Sequence, residues 1–301
     1  MNNQILRFLN EYAKLPSPQY AVLLRGKWGC GKTYFVKNWL AEFDKSNKLP
    51  ANENSIELKP IYVSLFGMRE ISDIKSAIDR CVNPFFYSKA GKMLKIAGRI
   101  ASKIIFKTEL DIDKDGKSET SFSGALDSLS IFENDNKDEV KGVKFIIFDD
   151  LERCQIPMKQ LLGFINYFVE HCDCHVVVVG EEKYLDDKTL HDLLEFKEKI
   201  VGREFEIATD IHSALDTFVN QTPKNDFVVG HQEQIEKFFA MTECNNLRIL
   251  RQALWDFSRF EESMTDFLGD KRYEDIMIHV LGTYIISYCE YRGKNHQLFD
   301  A

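Results

Sequence analysis

No stretch of this 301-residue chain reaches the roughly 18 consecutive apolar residues that a membrane-spanning helix requires. The longest candidate, 276–289, is too short and carries His279, Gly282 and Thr283, so it reads as a buried helix. The seven cysteines are scattered and odd in number, and no signal peptide stands ahead of them. A disulfide-stapled secreted scaffold is thereby excluded, and a reducing cytoplasm is the expected location. Basic residues are outnumbered, 39 Lys and Arg against 47 Asp and Glu. A net charge of -8 argues against a nucleic-acid surface spread over the whole molecule, though not against a local patch. What remains, 44% hydrophobic and 29% charged residues, is ordinary for a soluble globular protein. The length suits one large α/β domain and a smaller satellite.

One stretch organises the rest. Gly26-Lys27-Trp28-Gly29-Cys30-Gly31-Lys32-Thr33 fits the phosphate-binding pattern G-x-x-x-x-G-K-[ST] at every fixed position. A short apolar strand at 20–25 precedes it, and a helix is expected over 33–43. Gly26, Gly29 and Gly31 are expected to take left-handed backbone conformations, which lets the loop approach an anion closely. The loop amides and the positive end of the following helix would then cradle phosphate. Lys32 supplies a point charge for the β- and γ-phosphates, and the Thr33 hydroxyl suits Mg²⁺. All eight loop residues, with Tyr34 just after them, are candidate nucleotide contacts. No Asn-Lys-x-Asp motif for reading guanine occurs, so ATP is the expected nucleotide.

A second stretch, 143–150, is an unbroken apolar run ending in Asp149 and Asp150. That pattern fits a central parallel strand covered on both faces. Its acids fall where an open α/β sheet places a ligand, at the tip of a strand neighbouring the phosphate loop. Asp149 is expected to hold Mg²⁺ with Thr33, and Asp150 to orient or deprotonate the attacking water. Glu152 is a second candidate for that task.

Elsewhere the chain reads as alternating helices and strands. An amphipathic helix fills 1–15, stopped by Pro16 and Pro18, where it could border an adenine pocket. Strand 60–66 and helix 71–81 follow. The segment 89–107 holds Lys89, Lys92, Lys95, Arg99, Lys103 and Lys107 with no acid, the pattern of a basic amphipathic helix. Such a helix suits an anionic membrane surface, nucleic acid or an acidic partner, or simply a solvated face. Peripheral attachment at the inner membrane is the matching location. The balance reverses over 109–139. There Asp111-Ile112-Asp113-Lys114-Asp115-Gly116 imitates a Ca²⁺ loop but has Phe122 where the bidentate Glu belongs, so a hairpin is expected instead. After helix 158–170, His171-Cys172-Asp173-Cys174-His175 crowds together possible zinc ligands without a second pair at finger spacing. A turn with buried thiols accounts for it better. Strand 175–180 should lie beside the acidic strand, with Glu181 and Glu182 where a γ-phosphate sensor is expected. Strand 203–207 closes the core, and the chain turns helical beyond 210. Asn245 and Asn246 cap a helix bearing Arg248 and Arg251, and a last helix covers 273–291. The chain then ends without an obvious stop, as the front part of a longer protein would.

The blocks at 26–33, Phe148-Asp149-Asp150-Leu151-Glu152-Arg153-Cys154 and Asn245-Asn246-Leu247-Arg248-Ile249-Leu250-Arg251 resemble the KAP group of P-loop NTPases. The resemblance covers most of 1–260. It implies an AAA+-like α/β core (1–209) with a parallel sheet flanked by helices, and a C-terminal helical lid (210–301). It also implies an insertion, here 83–140, which carries membrane spans in many members but none here. Bacterial members are associated with phage exclusion or defence, and related ATPases gate effectors as nucleotide-dependent oligomers. Arg203, Arg248 or Arg251 would serve as γ-phosphate sensor or as a finger reaching a neighbouring subunit. Three functions compete at this level: an ATPase switch in a homo-oligomer or with an effector, a nucleotide-binding scaffold with little turnover, and a DNA-associated ATPase working through 89–107.

Overall fold

The computed structural model describes residues 2–46, 56–57, 60–82, 140–141, 144–221, 226–264 and 271–293. The basic segment 89–107, the Ca²⁺-like loop with its expected hairpin, and the chain's last residues lie outside them. The chain divides into two compact units. The first comprises Met1–Arg25 and Thr33–Glu206, the second Gly26–Lys32 and Ile207–Ala301.

In the first unit, helix α1 (Asn2–Tyr12) leads to strand β1 (Ala21–Arg25) and, past the phosphate loop, to α2 (Lys32–Ser46). Then come β2 (Ile56–Glu57), β3 (Ile61–Ser64), α3 (Ile71–Val82), β4 (Val140–Lys141) and β5 (Phe145–Asp149). Helix α4 (Met158–Glu170), β6 (His175–Gly180), α5 (Asp187–Ile200) and β7 (Val201–Glu206) complete it. Five strands form one parallel sheet in the order β3-β5-β6-β1-β7. Strand β5 lies beside β6, as expected, but β6 also separates it from β1. The acidic strand is therefore not the immediate neighbour of the phosphate strand. Two equally apolar runs carry no information about which of them pairs with β1.

Strands β1, β5 and β6 read as continuous apolar runs because both faces are covered. Leu23, Ile146, Phe148, Val176 and Val178 join one core with Ile74 and Ile78 of α3, Leu161, Ile165 and Phe168 of α4, and Leu193 of α5. Phe145 points the other way into an aromatic layer. Its ring centroid lies 5.0 Å from Trp39 of α2 and 5.9 Å from Tyr12 of α1. Cys172 and Cys174 are fully buried between α4 and β6, at a turn where Asp173 takes a positive φ of 52° and accepts from Ser17 at 2.6 Å. Two-residue strands β2 and β4 pair in parallel as a separate ladder, which the polar sequence around them did not announce.

The second unit is helical: α6 (Ile211–Gln221), α7 (Asp226–Gly230), α8 (Gln232–Met241), α9 (Leu247–Ser263) and α10 (Lys271–Arg292). Its own core is built from Leu215, Phe239, Leu250, Leu254, Phe257 and Leu281, among others. Asp256 on α9 accepts a hydrogen bond from Tyr288 on α10. No helix of the described residues is long and apolar enough to cross a membrane.

Tyr12 ties α1 to the sheet. Its hydroxyl donates to the Tyr20 carbonyl at 2.6 Å and accepts from the Val176 amide at 3.0 Å. Tyr12→Phe keeps the ring in the aromatic layer but leaves a buried amide and a carbonyl without this partner, which should cost about 1–3 kcal/mol. Urea unfolding measures it, and a change below about 0.5 kcal/mol, the scale of an ordinary surface substitution, would show that the hydroxyl is dispensable.

Candidate functional site

The phosphate loop follows from its two ends. Strand β1 is buried up to Leu24, and α2 begins at Lys32, so Gly26 to Gly31 must reverse the chain within one short loop. Gly29 (φ 82°) and Gly31 (φ 100°) adopt left-handed backbone, which L side chains resist. Gly26 does not. It is required for space instead: a Cβ there would come within 2.9 Å of Cys30 Sγ and 3.0 Å of the Ile207 carbonyl. The Cys30 amide donates back to the Lys27 carbonyl at 3.1 Å. Lys32 Nζ donates to the Gly26 carbonyl and lies 3.4 Å from that of Lys27, folding its charge over the loop. Trp28 is half-buried and Tyr34 is exposed.

The start of α9 grips the same loop. The Leu247 amide donates to the Gly29 carbonyl at 2.9 Å, and a Cβ on Gly29 would fall 2.1 Å from Asn246 Oδ1. Asn246 caps α9 by accepting from the Arg248 amide at 3.1 Å. Arg248, next along the chain, is exposed. Arg251 is also exposed, with its guanidinium 5.1 Å from the Trp255 ring centre, and Arg203 is exposed on β7.

At the C-terminal end of β5, Asp149 is only 1% exposed. Its Oδ2 accepts from Thr33 Oγ1 at 2.7 Å and from Tyr62 Oη at 2.6 Å, while Oδ1 accepts from the Asp150 amide at 2.8 Å. Thr33 and Asp149, the two expected metal ligands, are thus in direct contact. Asp150 sits just past the strand in left-handed backbone (φ 62°, ψ 41°). Its Oδ2 accepts from Ser64 Oγ at 2.9 Å, and its Oδ1 lies 3.8 Å from Arg153 Nε.

Glu152 is placed differently from Asp150. Its side chain is 2% exposed, and Oε2 accepts from the Glu181 amide at 3.1 Å, bracing the end of β6 against the turn after β5. Glu182 takes part in a charge cluster, 2.9 Å from Lys197 Nζ and 3.7 Å from Arg25. Glu181 caps its own short turn by accepting from the Lys183 amide at 3.3 Å.

Tyr62 and Ser64 were not singled out by sequence reasoning. They alternate with buried Ile61 and Val63, so both face one side of edge strand β3, and Ser64 pairs in register with Asp149. Burial and the hydrogen bond to Asp149 push the Tyr62 phenol far above the usual tyrosine range, so it is a donor at any working pH. The alternation of polar and apolar residues over 61–64 was the available signal, but its meaning depends on the pairing partner.

A family model described as the KAP family P-loop domain matches residues 1–264, which include every candidate site residue. Among solved structures, the Aeropyrum pernix ORC2 protein, determined as ADPNP–ADP complexes, is similar with a TM-score of 0.50 at 14% identity. That alignment covers 94% of this chain and 66% of the ORC2 chain, just under two-thirds of its length. At such identity the likeness is one of fold. The fold is the expected one, an α/β P-loop core with a parallel sheet flanked by helices and a helical C-terminal region. No match was found among curated proteins.

The loop–helix grip generates a double-mutant test. Gly29→Ala should destabilise the protein by about 1–2 kcal/mol for the left-handed backbone alone, with the Asn246 clash added. In an Asn246→Gly background the penalty should shrink, because the atoms at 2.1 and 2.3 Å are gone while only the Asn246 Cα at 2.9 Å remains. Strictly additive losses in chemical denaturation would contradict the contact.

Proposed function

The chain belongs to the KAP family of P-loop domains, and on that premise we propose that it is a Mg²⁺-dependent ATPase whose bound nucleotide acts as a switch. The observation that carries this reading is the contact between Thr33 and Asp149, at the head of α2 and the tip of β5. A hydroxyl and a carboxylate are hard oxygen donors, and Mg²⁺ characteristically takes few protein ligands and completes its shell with water and phosphate. The donor set therefore fits. Bound there, Mg²⁺ would neutralise charge on the phosphates.

The chain's own groups divide the remaining work. The amides of the glycine loop and the first turn of α2 receive phosphate oxygens. Lys32 exchanges its carbonyl partners in the loop for the β- and γ-phosphates. Asp150 orients a water and accepts its proton as the water oxygen bonds to the γ-phosphorus. The bond from that phosphorus to the bridging oxygen breaks, leaving ADP and phosphate. Arg248, exposed beside the Asn246 cap, is the candidate γ-phosphate sensor, with Arg203 and Arg251 as candidates for a finger in a homo-oligomer. The switch has a physical basis in the loop itself, since the segment that would close on phosphate is the one held by Asn246 and Leu247 at the start of α9.

A scaffold that holds nucleotide with little turnover is the second reading. It is favoured by the engagement of Asp150, whose two oxygens already face Ser64 and Arg153. Binding and turnover separate the two. Lys32→Ala should weaken ATP binding at least about tenfold, or roughly 1.4 kcal/mol. Asp150→Asn should leave binding nearly intact and lower kcat by about 10²- to 10⁴-fold. Fluorescent-nucleotide titration and phosphate release measure these. Unaltered affinity in Lys32→Ala sinks the nucleotide site, and turnover at background in the wild type leaves the scaffold alone.

A further inference from the structure

Asp149 Oδ2 has two side-chain donors, and the proposed function uses only one of them. Thr33 belongs to the phosphate-loop motif, whereas Tyr62 comes from β3, the strand at the edge of the sheet. The burial pattern shows what Tyr62 is not needed for. Ile61 and Val63, 3% and 1% exposed, supply the core contacts of this strand, while Tyr62 lies on its opposite, half-buried face. Its ring is covered from α2 by the ammonium of Lys37, 4.5 Å from the ring centre and one helical turn beyond Thr33. A hydroxyl on a half-buried ring could reach water. This one instead makes a 2.6 Å bond to a carboxylate that is itself almost wholly buried.

We propose that Tyr62 is a positioning residue for the metal-holding acid: its hydroxyl fixes the rotamer of Asp149 and presents that carboxylate to the divalent cation that accompanies ATP. The inference rests on the proposed nucleotide function and adds a residue that the two sequence motifs do not contain. Its logic is that of outer-shell partners in metal sites, where a hydrogen bond to a ligand removes its orientational freedom before the ion arrives. Thr33 cannot do this alone, because its oxygen is the one required at the ion. The Asp150 amide holds Oδ1 and leaves Oδ2 to the side chains. Tyr62 is the donor that can stay on Oδ2 whether the cation is absent or bound.

The test is the Mg²⁺ dependence of ATP affinity in Tyr62→Phe, measured by calorimetric titration in EDTA and across a Mg²⁺ series. Tyr62→Phe keeps the ring beneath Lys37 and removes only the hydroxyl. The expected result is an ATP Kd in EDTA within about twofold of wild type and a Mg²⁺ requirement raised about 10- to 100-fold, the range for lost outer-shell partners. Lys37→Ala, which disturbs the ring's cover and leaves the hydroxyl, should not shift the Mg²⁺ requirement. An equal loss of affinity with and without Mg²⁺ would mark Tyr62 as a purely structural residue and overturn the proposal, as would an unchanged Mg²⁺ requirement. If wild type binds ATP in a Mg²⁺-dependent way and Tyr62→Phe matches it, this inference alone fails. If wild type binds no nucleotide at all, the proposed function fails and takes the inference with it.

Discussion

The site depends on one buried carboxylate. Burying a carboxyl group is costly unless its oxygens find partners, and Asp149 has three: a threonine hydroxyl, a phenol and a backbone amide. All three are neutral. They satisfy the lone pairs of a carboxylate set among strands lined by valine, isoleucine and phenylalanine. On the proposed function, the oxygens of Asp149 and Thr33 suit a small hard cation.

The second constraint is steric. Gly29 lies so close to Asn246 that no side chain can stand between the phosphate loop and the start of α9, and the Leu247 amide closes on the Gly29 carbonyl. A loop held in this way cannot rearrange around an anion without disturbing the helix that holds it. This is the kind of discrete coupling on which nucleotide switches rely. Arg248, the candidate sensor of the proposed function, stands immediately beyond the grip on the same helical turn.

How much of this was legible depended on how local the chemistry is. The place of the loop between a strand and a helix, and of Asp149 and Asp150 at the end of a buried strand, was readable because the flanking residues carry the strand and helix patterns. The Asn246 cap was readable as a cap. Its contact with Gly29 was not, since nothing in either segment points to the other. Tyr62 and Ser64 escaped notice for the same reason: a tyrosine and a serine in an alternating strand acquire their meaning only once β3 is known to pair with β5. Gly26 matched the motif, yet it is needed for room rather than for left-handed backbone. The bond between Glu152 and the amide after β6 was not readable either, because it depends on strand order, which apolar runs do not encode.

The proposed function requires Asp149 and Thr33 to form a metal site in the presence of nucleotide. Electron paramagnetic resonance of Mn²⁺, added in place of Mg²⁺ to the protein with ATP, reads that site without requiring turnover. A protein-bound Mn²⁺ signal that forms only with nucleotide and is lost in the isosteric Asp149→Asn variant is the predicted result. An Mn²⁺ signal that is the same in Asp149→Asn as in the wild type would contradict the account.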